Sequence, residues 1–208
     1  MTRTLLINCY LDGTKINNLQ TVLNNYTNCK VVSFENIQSG YRLEGFDAVV
    51  ISGSEARIVS ASDSAKYEGV LRLIETCNIP ILGICFGHQL LCSAFGAKTS
   101  TLPQPVIDRF EQVNVVQTGE IFSRFKGEQK IPLSEYHNDY VLKESLENAG
   151  FKLLADSPSC EVEAVKHITK LFYGVQFHPE RIIIQNETHP EGHKVIENFF
   201  VHVVKRFG

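Results

Sequence analysis

Ile79-Pro80-Ile81-Leu82-Gly83-Ile84-Cys85-Phe86-Gly87-His88-Gln89-Leu90-Leu91 is the stretch whose reading decides the fold. Ile79 to Ile84 is an apolar run with the pattern of a buried strand. Gly83 to Gly87 then turns sharply, and Leu90, Leu91, Ala94 and Phe95 carry the apolar spacing of a short helix. Strand, tight turn and helix in this order make a nucleophile elbow. Its flanking glycines let strand and helix approach closely, and its central residue is strained and presented to solvent. Cys85 holds that central position, at a helix start whose dipole and free amides favour thiolate over thiol. A free cysteine is often only a small apolar core residue. The Gly-x-Cys-x-Gly frame at a strand end argues against that reading here.

Upstream of the elbow, Thr4 to Asn8 reads as a first buried strand. Ile16, Leu19, Leu23 and Tyr26 follow at helical spacing, predicting a helix over 16–26 capped at Asp12-Gly13-Thr14. Cys29 to Phe34 and Ala48 to Ser52 are two more strands, the latter ending at Gly53-Ser54. Tyr67, Val70, Leu71 and Ile74 predict a helix capped near Ser62-Asp63-Ser64. Such alternation builds a parallel sheet covered on both faces, with its site at the carboxyl ends of the strands. Gly53-Ser54 and Cys85 both fall at such ends.

Downstream the pattern changes. Val113, Val115 and the segments 151–154, 162–165 and 171–177 read as strands. Leu142 to Asn148 looks helical, and Pro103-Gln104-Pro105 reads as a loop. A last helix, His193 to Arg206, carries Val195, Ile196, Phe199, Phe200 and Val203 on one face. No linker or repeat divides the chain, so one domain is expected over 1–208.

With 20 basic against 23 acidic residues and no basic run, nothing points to nucleic acid or to an anionic membrane surface. No stretch approaches membrane-spanning length, and Leu5-Leu6-Ile7 is too short for a signal-peptide core. The six cysteines form no Cys-x-x-Cys pair. A reduced, cytoplasmic protein is therefore expected. His189-Pro190-Glu191-Gly192-His193 is read as a loop and helix start. Pro190 and Gly192 deny it the single helical face that paired histidine ligands use. No metal and no cofactor are expected in this chain.

The second informative stretch is Gly174-Val175-Gln176-Phe177-His178-Pro179-Glu180. A strand delivers His178 at its carboxyl end, and Glu180 follows two residues on. A thiol nucleophile needs a base, and the base needs a third group to fix its tautomer. Cys85, His178 and Glu180 can fill those three roles.

Gly-Ile-Cys-Phe-Gly-His-Gln at 83–89 and Gly-Val-Gln-Phe-His-Pro-Glu at 174–180 resemble the two signature motifs of class I, triad-type glutamine amidotransferases. The similarity runs over essentially the whole chain. It implies a flavodoxin-like α/β fold with a mixed, largely parallel central sheet. It also implies hydrolysis of glutamine to glutamate through a thioester on Cys85, with His178 shuttling the proton and Glu180 orienting it. The ammonia released feeds a synthetase. The oxyanion amides implied are those of Phe86 and of the Gly53-Ser54 turn, and Gln89 matches a position near the substrate. Ser52-Gly53-Ser54-Glu55 departs from the family's usual Ser-Gly-Gly-Pro turn, and a γ-glutamyl peptidase branch with the same triad carries similar turns.

Within the family, Cys160 to His167 resembles a segment of the separate glutaminase subunits of archaeal GMP synthetase. Tyr136-His137-Asn138-Asp139 resembles their Ser-His-x-Asp loop, which places His137 and Asp139 near the glutamine site. The implied partner is a separate ATP-pyrophosphatase subunit, which would hold the ATP and magnesium. The chain has no Gly-x-x-x-x-Gly-Lys of its own. The other readings are a stand-alone peptidase, a glutaminase for another synthetase, and a non-catalytic interaction subunit.

Overall fold

The computed structural model describes residues 2–123, 125 and 130–207. Its strands are β1 (Arg3–Asn8), β2 (Asn28–Ser33), β3 (Ala48–Ile51), β4 (Ile81–Ile84), β5 (Thr99–Val115), β6 (Lys130–Val141), β7 (Phe151–Asp156), β8 (Ala164–His167) and β9 (Phe172–Val175). A small hairpin, β10 (Ile183–Ile184) with β11 (Glu187–Thr188), stands apart. The longer helices are α1 (Asn17–Leu23), α2 (Glu68–Thr76), α3 (Phe86–Ala94) and α4 (Glu191–Asn198).

The nine strands form one sheet in the order β2-β1-β3-β4-β9-β8-β7-β5-β6. The first five run parallel, and the remaining pairings are antiparallel. Alternation along each strand divides the core. Leu6, Val50, Leu82 and Tyr173 point to the face covered by α1 and the C-terminal helix. Leu5, Ile7, Val49, Ile51 and Ile81 point to the face covered by α2 and α3. The flavodoxin-like, mixed architecture implied by the two motifs is thus present.

Several elements differ in detail from the sequence reading. The first helix begins as a 3-10 turn, Gly13–Ile16, with Asp12 accepting from the Thr14 amide as the cap. The last one widens into a π-helical stretch, Phe199–Val204, in which Phe199, Phe200, Val203 and Val204 are all buried. The helix expected over 142–148 is a single 3-10 turn, Lys143–Ser145. The Pro103-Gln104-Pro105 loop is part of β5. Its prolines are tolerated because β5 meets β7 only at Asn114 and Val115, leaving the earlier residues paired on one side. Register breaks between Thr101 and Arg109 release the rest. Tyr136 to Asp139, expected as a loop, lies inside β6.

Close packing of α3 on the sheet depends on glycine. A β-carbon on Gly83 would sit 2.5 Å from the Gly87 carbonyl oxygen, and one on Gly87 would collide with the Ile51 carbonyl. Gly87→Ala is therefore expected to lower the unfolding free energy by about 1–3 kcal/mol in denaturant titration. Gly13→Ala is the control. Its added carbon meets nothing nearer than 3.8 Å, and it should stay within about 0.5 kcal/mol of wild type.

Candidate active site

Cys85 sits between β4 and α3 at φ 51°, ψ −107°, the left-handed strain of an elbow. Its amide donates to the Val175 carbonyl at 2.8 Å, and its carbonyl accepts from the Gln89 amide at 3.1 Å. Because Ile84 pairs with Val175 in register, the residue beside Cys85 on the next strand is Gln176. Its Nε2 approaches the Cys85 sulfur at 3.6 Å. Gln89 Nε2 donates in turn to Gln176 Oε1 at 3.1 Å and to the Asp139 carbonyl at 2.7 Å.

Two residues past Gln176, just beyond the end of β9, His178 returns to the same side. Its amide is anchored on the Ser134 carbonyl at 2.8 Å. Its Nδ1 donates to Glu180 Oε1 at 2.8 Å, and the ring interacts with the Cys85 sulfur. Burial disfavours charge on this ring, but the Glu180 carboxylate and the Cys85 sulfur outweigh it and push His178 up to about 10. Glu180 is itself buried. Asn18 Nδ2, at 3.1 Å, and His193 Nε2, at 3.4 Å, fix its carbonyl. The His189–His193 pair is split accordingly, because His189 faces Glu187 Oε2 at 3.7 Å.

Gly53 lets the neighbouring turn close on this pair. A β-carbon there would lie 3.0 Å from the Tyr10 hydroxyl and 3.1 Å from His178 Cε1. Ser54 turns its hydroxyl away from Cys85, to the Tyr67 hydroxyl at 3.0 Å, and accepts from the Ala56 amide at 3.0 Å. The turn is therefore tied down by its own side chain. Phe86 opens α3, so its amide has no acceptor inside the helix. A pocket of about 490 Å³ opens over Cys85, walled by Tyr10, Glu55, Arg57, Tyr136, Asn138 and Arg181. That volume suits a small molecule.

A cysteine elbow beside a histidine–glutamate pair matches a known family. The model for glutamine amidotransferase class-I matches residues 5–203. The chain belongs to the class-I glutamine amidotransferases. A subunit of the glutamine-hydrolyzing GMP synthase of Methanothermobacter thermautotrophicus is 36% identical over 155 residues, 74% of this chain and 77% of that protein. Its namesake in Methanocaldococcus jannaschii is 33% identical over 166 residues, 79% of this chain and 77% of its own length. A crystal structure of a candidate GMP synthase subunit from Thermoplasma acidophilum superposes with a TM-score of 0.83 at 27% identity. It covers 100% of this chain and 96% of that one.

Of the residues expected at an amidotransferase pocket, all but Gly53 line it, in two groups. Cys85, Phe86, Ser54, Gln89, His178 and Glu180 all line it. His137 and Asp139 line it too, but His137 Nδ1 and the Asp139 carboxylate are engaged by the protein. His137 Nδ1 hydrogen-bonds the Asp139 carbonyl at 3.1 Å, and its Nε2 lies 3.5 Å from Glu135 Oε2. Burial pushes its pKa down to about 4. The Asp139 carboxylate is held by Arg57, whose Nε donates to both oxygens at 2.9 Å, and by Thr101 at 3.1 Å. Sequence reasoning missed Tyr10, Arg57 and Gln176. Gln176 was recoverable, since strand alternation places it on the side of His178. Tyr10 and Arg57 follow their strands in loops that carry no motif.

Two measurements check this geometry. In a titration of the His178 imidazole by NMR, Glu180→Gln removes the carboxylate that does most to raise it. The midpoint should fall from about 10 by roughly 1–3 pH units, the scale of an adjacent opposite charge. Limited alkylation with iodoacetamide should modify Cys85, which opens on the pocket, and spare Cys92. Cys92 is fully buried, and burial pushes its thiol far up.

Proposed function

We propose that this chain hydrolyses glutamine to glutamate and ammonia at Cys85 and hands the ammonia to a separate ATP-using, GMP-forming synthetase. The observation that carries the reading is the strained elbow cysteine beside a histidine that is hydrogen-bonded to a buried carboxylate. The Cys85 thiolate adds to the γ-carboxamide carbon of glutamine. The resulting oxyanion is met by the Phe86 and Ser54 amides. On collapse the C–N bond breaks, His178 gives its proton to the nitrogen, and ammonia leaves a thioester on Cys85. The neutral His178 then takes a proton from water, whose oxygen attacks the thioester carbon. The C–S bond breaks, releasing glutamate and the thiolate. Glu180 keeps the imidazole oriented through both steps without exchanging protons. Gln89 has its amide nitrogen committed to two protein acceptors, so its oxygen is the atom available to the substrate.

Support for the partner is the resemblance to the archaeal GMP synthase subunits. On this reading ATP and magnesium are bound by the synthetase and not by this chain. The exposed Tyr136, Ile107 and Ile183 offer the synthetase an apolar contact. Six free cysteines suit a reducing cytoplasm, and no helix among the described residues is long and apolar enough to cross a membrane.

The test is a coupled assay with an archaeal-type synthetase, ATP and xanthosine monophosphate. Cys85→Ala should abolish GMP formation from glutamine and leave formation from added ammonium at the wild-type rate. Wild-type turnover from glutamine in Cys85→Ala would overturn the mechanism. High activity of the isolated chain on γ-glutamyl peptides, with no response to the synthetase, would make it a peptidase.

A further inference from the structure

At the floor of the pocket, which His137 lines, and on the side of β6 away from solvent, four side chains converge that the glutamine chemistry does not use. Glu135 and His137 point inward from β6, and Cys160 and Glu163 come from the segment joining β7 to β8. All four are buried, at 0%, 4%, 2% and 0% exposure. The ligand atoms of His137, Cys160 and Glu163 lie within 4.8 Å of one another. Glu135 Oε2 is 3.5 Å from His137 Nε2. What faces inward is almost entirely acceptors. The His137 Nδ1 contact with the Asp139 carbonyl requires the proton on Nδ1, which leaves Nε2 as a bare lone pair. Apart from a proton the two carboxyls can share, both oxygens of Glu135, Glu163 Oε2 and His137 Nε2 find no hydrogen-bond partner. Ser157 Oγ donates to Glu163 Oε1 at 2.7 Å, and the Cys160 thiol points to the Val162 carbonyl at 3.4 Å.

Acceptors facing acceptors in a dry interior are strongly unfavourable unless a proton or a metal cation lies between them, and one shared proton leaves His137 Nε2 still without a partner. The surroundings are also built as ligand supports are. A histidine ligand usually donates its second ring nitrogen to a carbonyl or carboxylate. The 157–163 segment is pinned by Ser157 N to the Cys160 carbonyl at 2.8 Å, Cys160 N to Ser157 Oγ at 3.0 Å, and Glu163 N to the Ala155 carbonyl at 2.9 Å.

We propose that His137 Nε2, Cys160 Sγ, Glu163 and Glu135 form a closed structural site for a divalent, thiolate-tolerant metal ion, zinc being the best match. Imidazole, thiolate and carboxylate on one ion are a zinc donor set. Metal–ligand bonds of about 2.0–2.3 Å would draw the ligand atoms to roughly 3.5 Å apart, closer than the 4.8 Å within which those of His137, Cys160 and Glu163 lie without an ion. The charge balances: a dication enters as two protons leave, one from the Cys160 thiol and one held by the two carboxyls. The ion would clamp the edge strand β6 to the segment leading into β8. It is distinct from the His189–His193 pair and takes no part in the thiol chemistry.

Elemental analysis of the full chain, expressed in zinc-replete medium, should find one zinc per chain. Cobalt substitution should give the near-ultraviolet charge-transfer band of a Co–thiolate bond. That band should persist in Cys85→Ala, which removes the elbow thiol, and vanish in Cys160→Ala or, if that variant folds poorly, in Cys160→Ser. The wild type alone also decides: metal-free protein, refolded in chelator, should melt below the zinc-loaded form. Substoichiometric metal with no cobalt–thiolate band would overturn the site and leave two carboxyls sharing a proton. A band lost with Cys85 and kept without Cys160 would overturn it as well.

Discussion

The close approach of helix α3 to strands β3 and β4 is the constraint on which the site depends. Gly83 and Gly87 touch across the turn with no room for side chains, so one residue must reverse the chain between them. That residue is Cys85, and its positive φ costs about 1–3 kcal/mol. Against this, Phe86, Leu90 and Leu91 are buried behind it, each contributing about 1.5–3 kcal/mol. Three such anchors outweigh one strained residue, so the helix stays seated and the strain stays local. The same geometry leaves the first amides of α3 free beside the sulfur.

The second constraint is electrostatic, and three buried imidazoles show how it is resolved. Burial pushes His88 down to about 3, with the nearby His137 acting in the same direction. Burial likewise brings His137 down to about 4. His178 is as deeply buried, yet it rises to about 10 because the Glu180 carboxylate and the Cys85 sulfur both face it. Dielectric alone would make all three neutral at physiological pH. Only the histidine that faces the Glu180 carboxylate and the Cys85 sulfur is pushed up instead of down, and it is the one beside the nucleophile. Glu180 is held for this task by its backbone, since Asn18 and His193 fix its carbonyl from two other elements.

The parallel half of the fold was legible because its inner strands are apolar on both faces and its helices carry clean stripes. Residues 79–91 and 174–180 likewise announced the nucleophile, the base and the acid, because turn chemistry and strand ends leave local marks. The antiparallel half was harder. In β6 the inward positions are Glu135, His137 and Asp139, and the outward ones include Tyr136 and Asn138. Polar residues on both faces erase the alternation that marks a strand. The prolines of β5 misled for a related reason. They mark a loop unless the segment is known to pair on one side, and pairing is not a local property. Arg57 was invisible because its meaning comes from Asp139, 82 residues away.

β6 explains why those polar residues are there. It ends the sheet order, four places from β9, yet its Ser134 carbonyl accepts from the His178 amide and its Tyr136 carbonyl lies 3.7 Å from the Cys85 sulfur. The antiparallel half must therefore curl back over the ends of β4 and β9 to close the pocket. Inward charges on an edge strand are a common guard against edge-to-edge pairing, but a guard needs no specific partner. Here Asp139 holds Arg57 on the rim, and its carbonyl takes hydrogen bonds from both Gln89 and His137. Gln89 passes the connection to Gln176 and so to the Cys85 sulfur. The edge strand is thus joined to the nucleophile by an unbroken run of buried hydrogen bonds, and the polarity that hid it in the sequence is what fits it to wall the site.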